Sequence, residues 1–183
     1  MRLVTSAVMA TLALTLSACG GDDPPPPEPS TSATTPANPD ATLPPMPDVA
    51  KEFTPNGAAT FVRHYVSVMD YASKTGDVSE LSRLSDPDCG GCQDYITLFG
   101  DTYESGGYLK GRDWSSSPTD LQFDRNRDDE SFATTTIRVT AGINRRSAED
   151  EEKRVPESND RVSFALIYLD GWTITQFGIG DVG

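Results

Sequence analysis

The chain has 183 residues, 28 of them acidic and 15 basic, for a formal net charge of −13, and 36% of its residues are hydrophobic. That balance excludes a nucleic-acid binder, which needs a basic stripe. It equally excludes adsorption of the folded part to anionic lipid headgroups.

In chain order, the first feature is a processing segment. Arg2 precedes an apolar run from Leu3 to Leu16, shorter than the ~20 residues that a lone spanning helix requires. The run ends in Leu16-Ser17-Ala18-Cys19, which resembles a lipobox. The resemblance implies a signal peptide over 1–18, cleavage before Cys19, and acylation of Cys19 by diacylglycerol and palmitate-like chains. Two or more chains make a stable anchor, so a cell-membrane, lipid-anchored, extracytoplasmic location is expected. Residues 19–47 follow as the lipidated Cys and a tether of Pro, Thr, Ser, Ala and Asp, with Pro24 to Pro27 consecutive. Such a composition buries too little apolar surface to offset its ordering entropy. Extended, it reaches at most ~80 Å at about 3.1 Å per residue.

Residues 48–183 suffice for one domain. Thr54-Pro55 opens a helix as N-cap and first-turn proline. Ala58, Phe61, Val62, Tyr65, Met69 and Ala72 recur along it at helical spacing, with Arg63, Ser67, Asp70 and Lys74 opposite. Gly76 closes it, and Asp77 is expected to cap a short second helix carrying Val78, Leu81 and Leu84. A third helix opens at Cys89-Gly90-Gly91-Cys92, carries Tyr95, Ile96, Phe99 and Tyr103 on one side, and ends at Gly106-Gly107.

Beyond Gly107 the period changes from 3.6 to 2. Strands are expected over Tyr108 to Trp114, Leu121 to Arg125, and Phe132 to Ile143; in the last, Ala133, Thr135, Ile137, Val139, Ala141 and Ile143 share a face. The run from Arg145 to Asp160, with Glu149 to Glu152 unbroken, is expected to be a solvated loop. Two final strands, Arg161 to Leu169 and Trp172 to Ile179, meet at Asp170-Gly171, a two-residue hairpin signal.

The expected fold class is α+β: three N-terminal helices packed on a curved, mostly antiparallel sheet. Long helix, short helices, sheet and terminal D-G-W hairpin together resemble the NTF2-like (cystatin-like) cone. The stretches F-T-P-N-G-A-A-T-F-V-R-H-Y, D-Y-A-S-K-T-G-D and L-S-D-P-D-C-G-G-C resemble an uncharacterised family of actinobacterial lipoproteins built on such a domain. That resemblance implies fold and location and brings no activity.

Candidate chemistries are few. With Cys19 lipidated, Cys89 and Cys92 are left to pair in an oxidising compartment. A redox C-x-x-C would need a βαβ context, and two helices precede this one. Zinc would need four ligands, where the chain offers two thiols and His64, so neither metal nor cofactor is expected. His64, the sole histidine, is expected on the partly exposed flank of the first helix. Phe61, Tyr65, Met69 and Trp172 are the expected lining of any cone-shaped pocket, with Tyr65 as its candidate hydrogen-bond donor. The clear strands offer no inward carboxylate to serve as a base. The expected function is therefore a non-catalytic envelope module binding a small apolar ligand or an envelope protein. The alternative is a small NTF2-like enzyme of the isomerase or cyclase type.

Overall fold

A computed structural model describes Asn38, residues 40–123 and residues 130–180. The signal peptide, Cys19 and most of the tether lie outside the described residues, as does the Arg125 end of the second expected strand.

Helix α1, Pro55–Thr75, starts as its sequence dictates. The Thr54 hydroxyl accepts a hydrogen bond from Gly57 N–H at 2.9 Å, and Gly76 ends the helix in the left-handed region at φ 76°. Its apolar face is fully buried, with Phe61, Tyr65 and Met69 all at 1% exposure or less. The opposite face is not uniformly solvated. Asp70 accepts from Trp114 N–H at 2.8 Å and pairs with Lys74, which also reaches Asp113. Helix α2, Ser79–Arg83, begins one residue later than expected. Val78 is the N-cap, while Asp77 accepts from the Ser79 backbone and hydroxyl just outside it. Helix α3, Gly90–Glu104, opens on Cys89.

Among the described residues eight strands follow, in two sheets rather than the single curved one expected. β1 (Gly106–Lys110), β5 (Gly142–Ser147) and β6 (Lys153–Val155) form a three-stranded sheet in the order β1-β5-β6. β2 (Trp114–Ser116), β4 (Glu130–Val139), β7 (Ser158–Tyr168) and β8 (Trp172–Ile179) form the second in that order, with β3 (Asp120–Phe123) also paired to β4. Every strand pairing is antiparallel. The class is therefore α+β, three helices packed on antiparallel sheets.

Two expected strands are each divided between the sheets. Tyr108 to Trp114 breaks where Gly111 takes φ +70°, a left-handed conformation that ends a strand. Phe132 to Ile143 keeps its alternation as far as Val139, then leaves one sheet for the other at Thr140 and Ala141. The expected loop Arg145 to Asp160 instead contains the end of β5, all of β6 and the start of β7. The hairpin at Asp170-Gly171 forms, but Tyr168 rather than Leu169 pairs with Trp172, so three residues connect the strands where two were expected; the strands run together as far as Val162↔Ile179.

The chain entering α1 is fastened to this hairpin. Tyr168 hydroxyl donates to Lys51 O at 2.9 Å, and Trp172 Nε1 donates to Glu52 O at 3.0 Å. The last residues assigned to the tether lie on the domain as well. Met46 packs against the core, and Ala41 and Pro44 sit by Ser67, Asp70 and Tyr71 of α1. An apolar Met beside a helix has surface worth burying, which the prolines around it do not reveal.

Candidate functional site

A cavity of ≈270 Å³ lies between α3 and the two sheets. That is below the ~300–1,000 Å³ usual for drug-sized ligands, so it suits a molecule of one or two rings. Helical spacing puts Tyr95, Leu98 and Phe99 on the α3 wall. Strand alternation supplies the rest: Ile137 and Val139 from β4, Ser158, Asp160 and Val162 from β7, Phe177 and Ile179 from β8. Leu109, Asn144 and the β1–β2 connection with Arg112, then Trp114, close it.

Gly91 makes this wall possible. A Cβ there would overlap Phe177 O, so α3 can approach β8 only because the second residue between the cysteines has no side chain. The aromatic rings then interlock: Tyr95 meets Trp114 edge-on at 5.5 Å and Phe177 at 5.3 Å, and Trp114 meets Phe99 edge-on at 5.8 Å. Such pairs contribute about 0.5–1.5 kcal/mol beyond area burial.

Polar groups converge on this aromatic box. Trp114 Nε1 and Asn144 Oδ1 are buried with no hydrogen-bond partner among the described residues. Leaving a buried polar atom unpaired costs about 1–3 kcal/mol, so each such atom calls for a reason. Asp160 lies directly across from Ile137 in the β4–β7 ladder, which turns both inward. Burial pushes the Tyr95 phenol up, and the negative charge of Asp160 adds to the rise while Arg112 opposes it. Tyr95 therefore stays a neutral hydroxyl at ordinary pH. Burial likewise holds the Arg112 guanidinium below its usual value, with Tyr95 partly offsetting this.

The four residues expected to line a pocket are elsewhere. Phe61 and Met69 are core. Tyr65 is buried against Phe164, 6.0 Å between ring centroids, and Phe164 in turn stacks on Phe177 of the cavity wall. Its hydroxyl lies 2.9 Å from Ser85 Oγ, and burial pushes its phenol up to about 12. Trp172 belongs to an aromatic group at the hairpin end, with Phe53, Phe123 and Tyr168. None of the four is among the residues that line this cavity.

His64 is not a partly exposed surface residue. It is 4% exposed, and its Nε2 has no hydrogen-bond partner among the described residues. Helix α2 packs over this flank of α1. Burial lowers the His64 pKa, with Glu80 raising and Arg83 lowering it further.

The inward carboxylate expected to be missing is present as Asp160. It was hidden in an acidic stretch that reads as solvated. The signal that could have found it is the alternation of Val162 and Phe164, carried back two residues to Asp160 and Ser158.

Cys89 and Cys92 lie at disulfide-bonding distance, their Cα atoms 5.2 Å apart. Cys89 Sγ also accepts from Cys92 N–H at the start of α3. Both residues are at 1% exposure or less, which denies an incoming thiolate the access that redox exchange needs. Among the described residues no three His, Cys, Asp or Glu side chains gather as a metal site. No helix among them is long and apolar enough to cross a membrane.

The sequence from residue 28 to residue 177 matches a family of unknown function, DUF6318. The chain belongs to this family. No curated protein matches the chain. Among solved structures, this DUF6318 chain is similar to an NTF2-like superfamily protein from Salmonella enterica serovar Typhimurium LT2. The TM-score is 0.49 at 13% identity, covering 69% of this chain and 89% of that one. It is also similar to an uncharacterised protein with a cystatin-like fold from Caulobacter vibrioides, with a TM-score of 0.44 at 9% identity over 68% and 89% of the two chains.

Proposed function

We propose that this DUF6318 protein is a lipoprotein held by acylated Cys19 to the outer face of a cell membrane, and that its domain is a non-catalytic module capturing a small flat molecule. Its one contact with the membrane is the lipid anchor. The observation that supports the reading best is the pair of buried polar atoms without a partner among the described residues, Trp114 Nε1 and Asn144 Oδ1, on residues that line a largely apolar cavity. A flat ligand would stack against the cavity's aromatic rings and give both atoms partners, offsetting the cost of burying them unpaired. A neighbouring groove of ≈320 Å³ shares Tyr95, Leu98, Phe177 and Ile179 with the cavity and offers a way in.

Titration calorimetry with naphthol, a neutral bicyclic probe, tests this. Naphthol binds the wild type, and Ser158→Trp, which fills the cavity from its rim, abolishes binding without unfolding the domain. No binding to the wild type, or equal binding to Ser158→Trp, refutes the cavity as the site.

A second reading, a small proton-transfer enzyme, draws support from Asp160 and the neutral Tyr95 hydroxyl sharing one cavity. An acid-base carboxylate and a hydrogen-bond donor are what enolisation needs. Its test is deuterium exchange of the α-proton of a cavity-bound cyclic ketone. Exchange that Asp160→Asn removes would establish the enzyme, and none above background would dismiss it.

A further inference from the structure

The binding reading can be taken one step further, to the chemistry of the ligand, and this step rests on that reading. We infer that the cavity takes a small planar carboxylate, its anionic head on Arg112 and a hydroxyl or amine at its far end on Asp160.

Several basic side chains among the described residues have partners: Arg63 bonds the Thr60 hydroxyl, Lys110 sits over the Tyr108 ring and Arg145 bonds the Ser147 carbonyl. Lys51, Lys74, Arg83 and Arg138 each pair with a carboxylate. Arg112 is half-buried on the cavity wall, yet among the described residues it makes neither an ion pair nor a hydrogen bond, and its only charged or polar neighbour of consequence is the Tyr95 phenol. Partly burying a guanidinium without a counter-charge is costly. Its planar fork of donors is the group that best matches a carboxylate, which it holds bidentately.

The position of Arg112 is built in. Gly142, on β5, follows directly on the β1–β5 ladder that ends at Lys110↔Ile143, and a Cβ on it would stand 2.7 Å from Arg112 Cγ and overlap Lys110 O. Any side chain at 142 would push the Arg112 stem off its course.

The second charge on the wall gives the ligand its polarity. Asp160 shares the cavity with Arg112, and the two are not an ion pair. Opposite charges that line one cavity and do not neutralise each other leave room for a ligand that presents an acceptor to one and a donor to the other. The aromatic rings on the same lining suit a flat, apolar body, and Trp114 Nε1 is a donor left to pair with it. Among the described residues Arg112 is the one basic side chain on the lining, and Asp160 faces the same space. One cation against one acid suits a singly charged head and disfavours a phosphate dianion.

Calorimetry with hydroxynaphthoate and naphthol on the full domain separates binding in the cavity from recognition of the carboxylate. Hydroxynaphthoate binds the wild type about tenfold or more tightly than naphthol, the worth of one charge-assisted hydrogen-bond pair. Arg112→Gln erases that preference, because hydroxynaphthoate affinity falls about tenfold further than naphthol affinity does. Arg112→Lys, which keeps the charge but not the fork, loses most of the preference. Near-UV circular dichroism confirms that each variant is folded, and should Arg112→Gln fail to fold, the wild-type preference and Arg112→Lys decide. Equal affinities for the two probes, or full preference retained in the Arg112 variants, overturn the carboxylate assignment alone. If neither probe binds the wild type, the cavity reading falls with it.

Discussion

Deleting a single hydroxyl, in Tyr65→Phe, tests how the centre of the domain is held together. Ser85 Oγ donates its one hydrogen to Leu81 O at 2.8 Å, so Tyr65 must be the donor across the 2.9 Å to Ser85 Oγ. The substitution strands no buried donor, because Ser85 keeps its bond to Leu81. The loss at neutral pH is then a net hydrogen bond, about 0.5–1.5 kcal/mol, rather than a full desolvation penalty. Alkaline pH reverses the comparison. Burial raises the Tyr65 phenol to about 12 in the folded protein, against an ordinary 10.0. A pKa raised on folding contributes stability that is complete below the unfolded value and is lost as pH rises through the folded one. Near pH 11 the wild type has therefore lost about 1.4 kcal/mol from this group, while Tyr65→Phe has lost nothing there. The two urea-unfolding curves, followed by tryptophan fluorescence, should be separated by about 1 kcal/mol at pH 7 and coincide or cross near pH 11. A gap as wide at pH 11 as at pH 7 would mean that the phenol is not buried as described, and the reasoning would fail.

Four further outcomes are expected. Phe61→Ala, at the seam between α1 and the sheets, should cost about 3–5 kcal/mol in chemical denaturation, and a melting temperature within a degree or two of wild type would refute that packing. Because burial lowers the His64 pKa, the folded state resists protonation, so stability should fall as pH drops below the ordinary value of 6.5; His64→Gln should flatten that slope relative to wild type between pH 7 and 5. The Cys89→Ser/Cys92→Ser pair should lose about 2 kcal/mol or less on the loop-entropy estimate, and free thiols in the native protein would contradict the disulfide. Mass spectrometry of membrane-extracted protein should find acylated Cys19 as the first residue, and Cys19→Ala should release a folded domain or leave it as a precursor; an unmodified N-terminus elsewhere removes the anchor.

Helix α1 was legible because its signals are local. A threonine cap, a first-turn proline, apolar residues every three or four positions and a closing glycine all act within one or two turns. The Asp170-Gly171 hairpin was legible for the same reason. The division of the 132–143 run was not, because period-2 alternation reports which face a residue takes and is silent about which strand it pairs with. Thr140 and Ala141 continue the pattern while the chain crosses from one sheet to the other. His64 was misread in a related way: its place on the flank of α1 was right, but a five-residue helix covers that flank and nothing in α1 announces it.

What the sequence determined unaided is whatever depends on neighbours along the chain: the acidic balance, the Pro-rich stretch, three helices, the alternating strands and the pairing of Cys89 with Cys92. The cavity belongs to the other class. Its wall draws Tyr95 from α3, Arg112 from a bend, Asn144 from one sheet and Asp160 from the other, residues up to 65 positions apart that share a surface only after the sheets and α3 close on one another. Charge alone made Asp160 look solvated, and strand phase turned it inward. Whether a side chain faces water or a ligand is settled by what packs opposite it, and only the tertiary structure contains that partner.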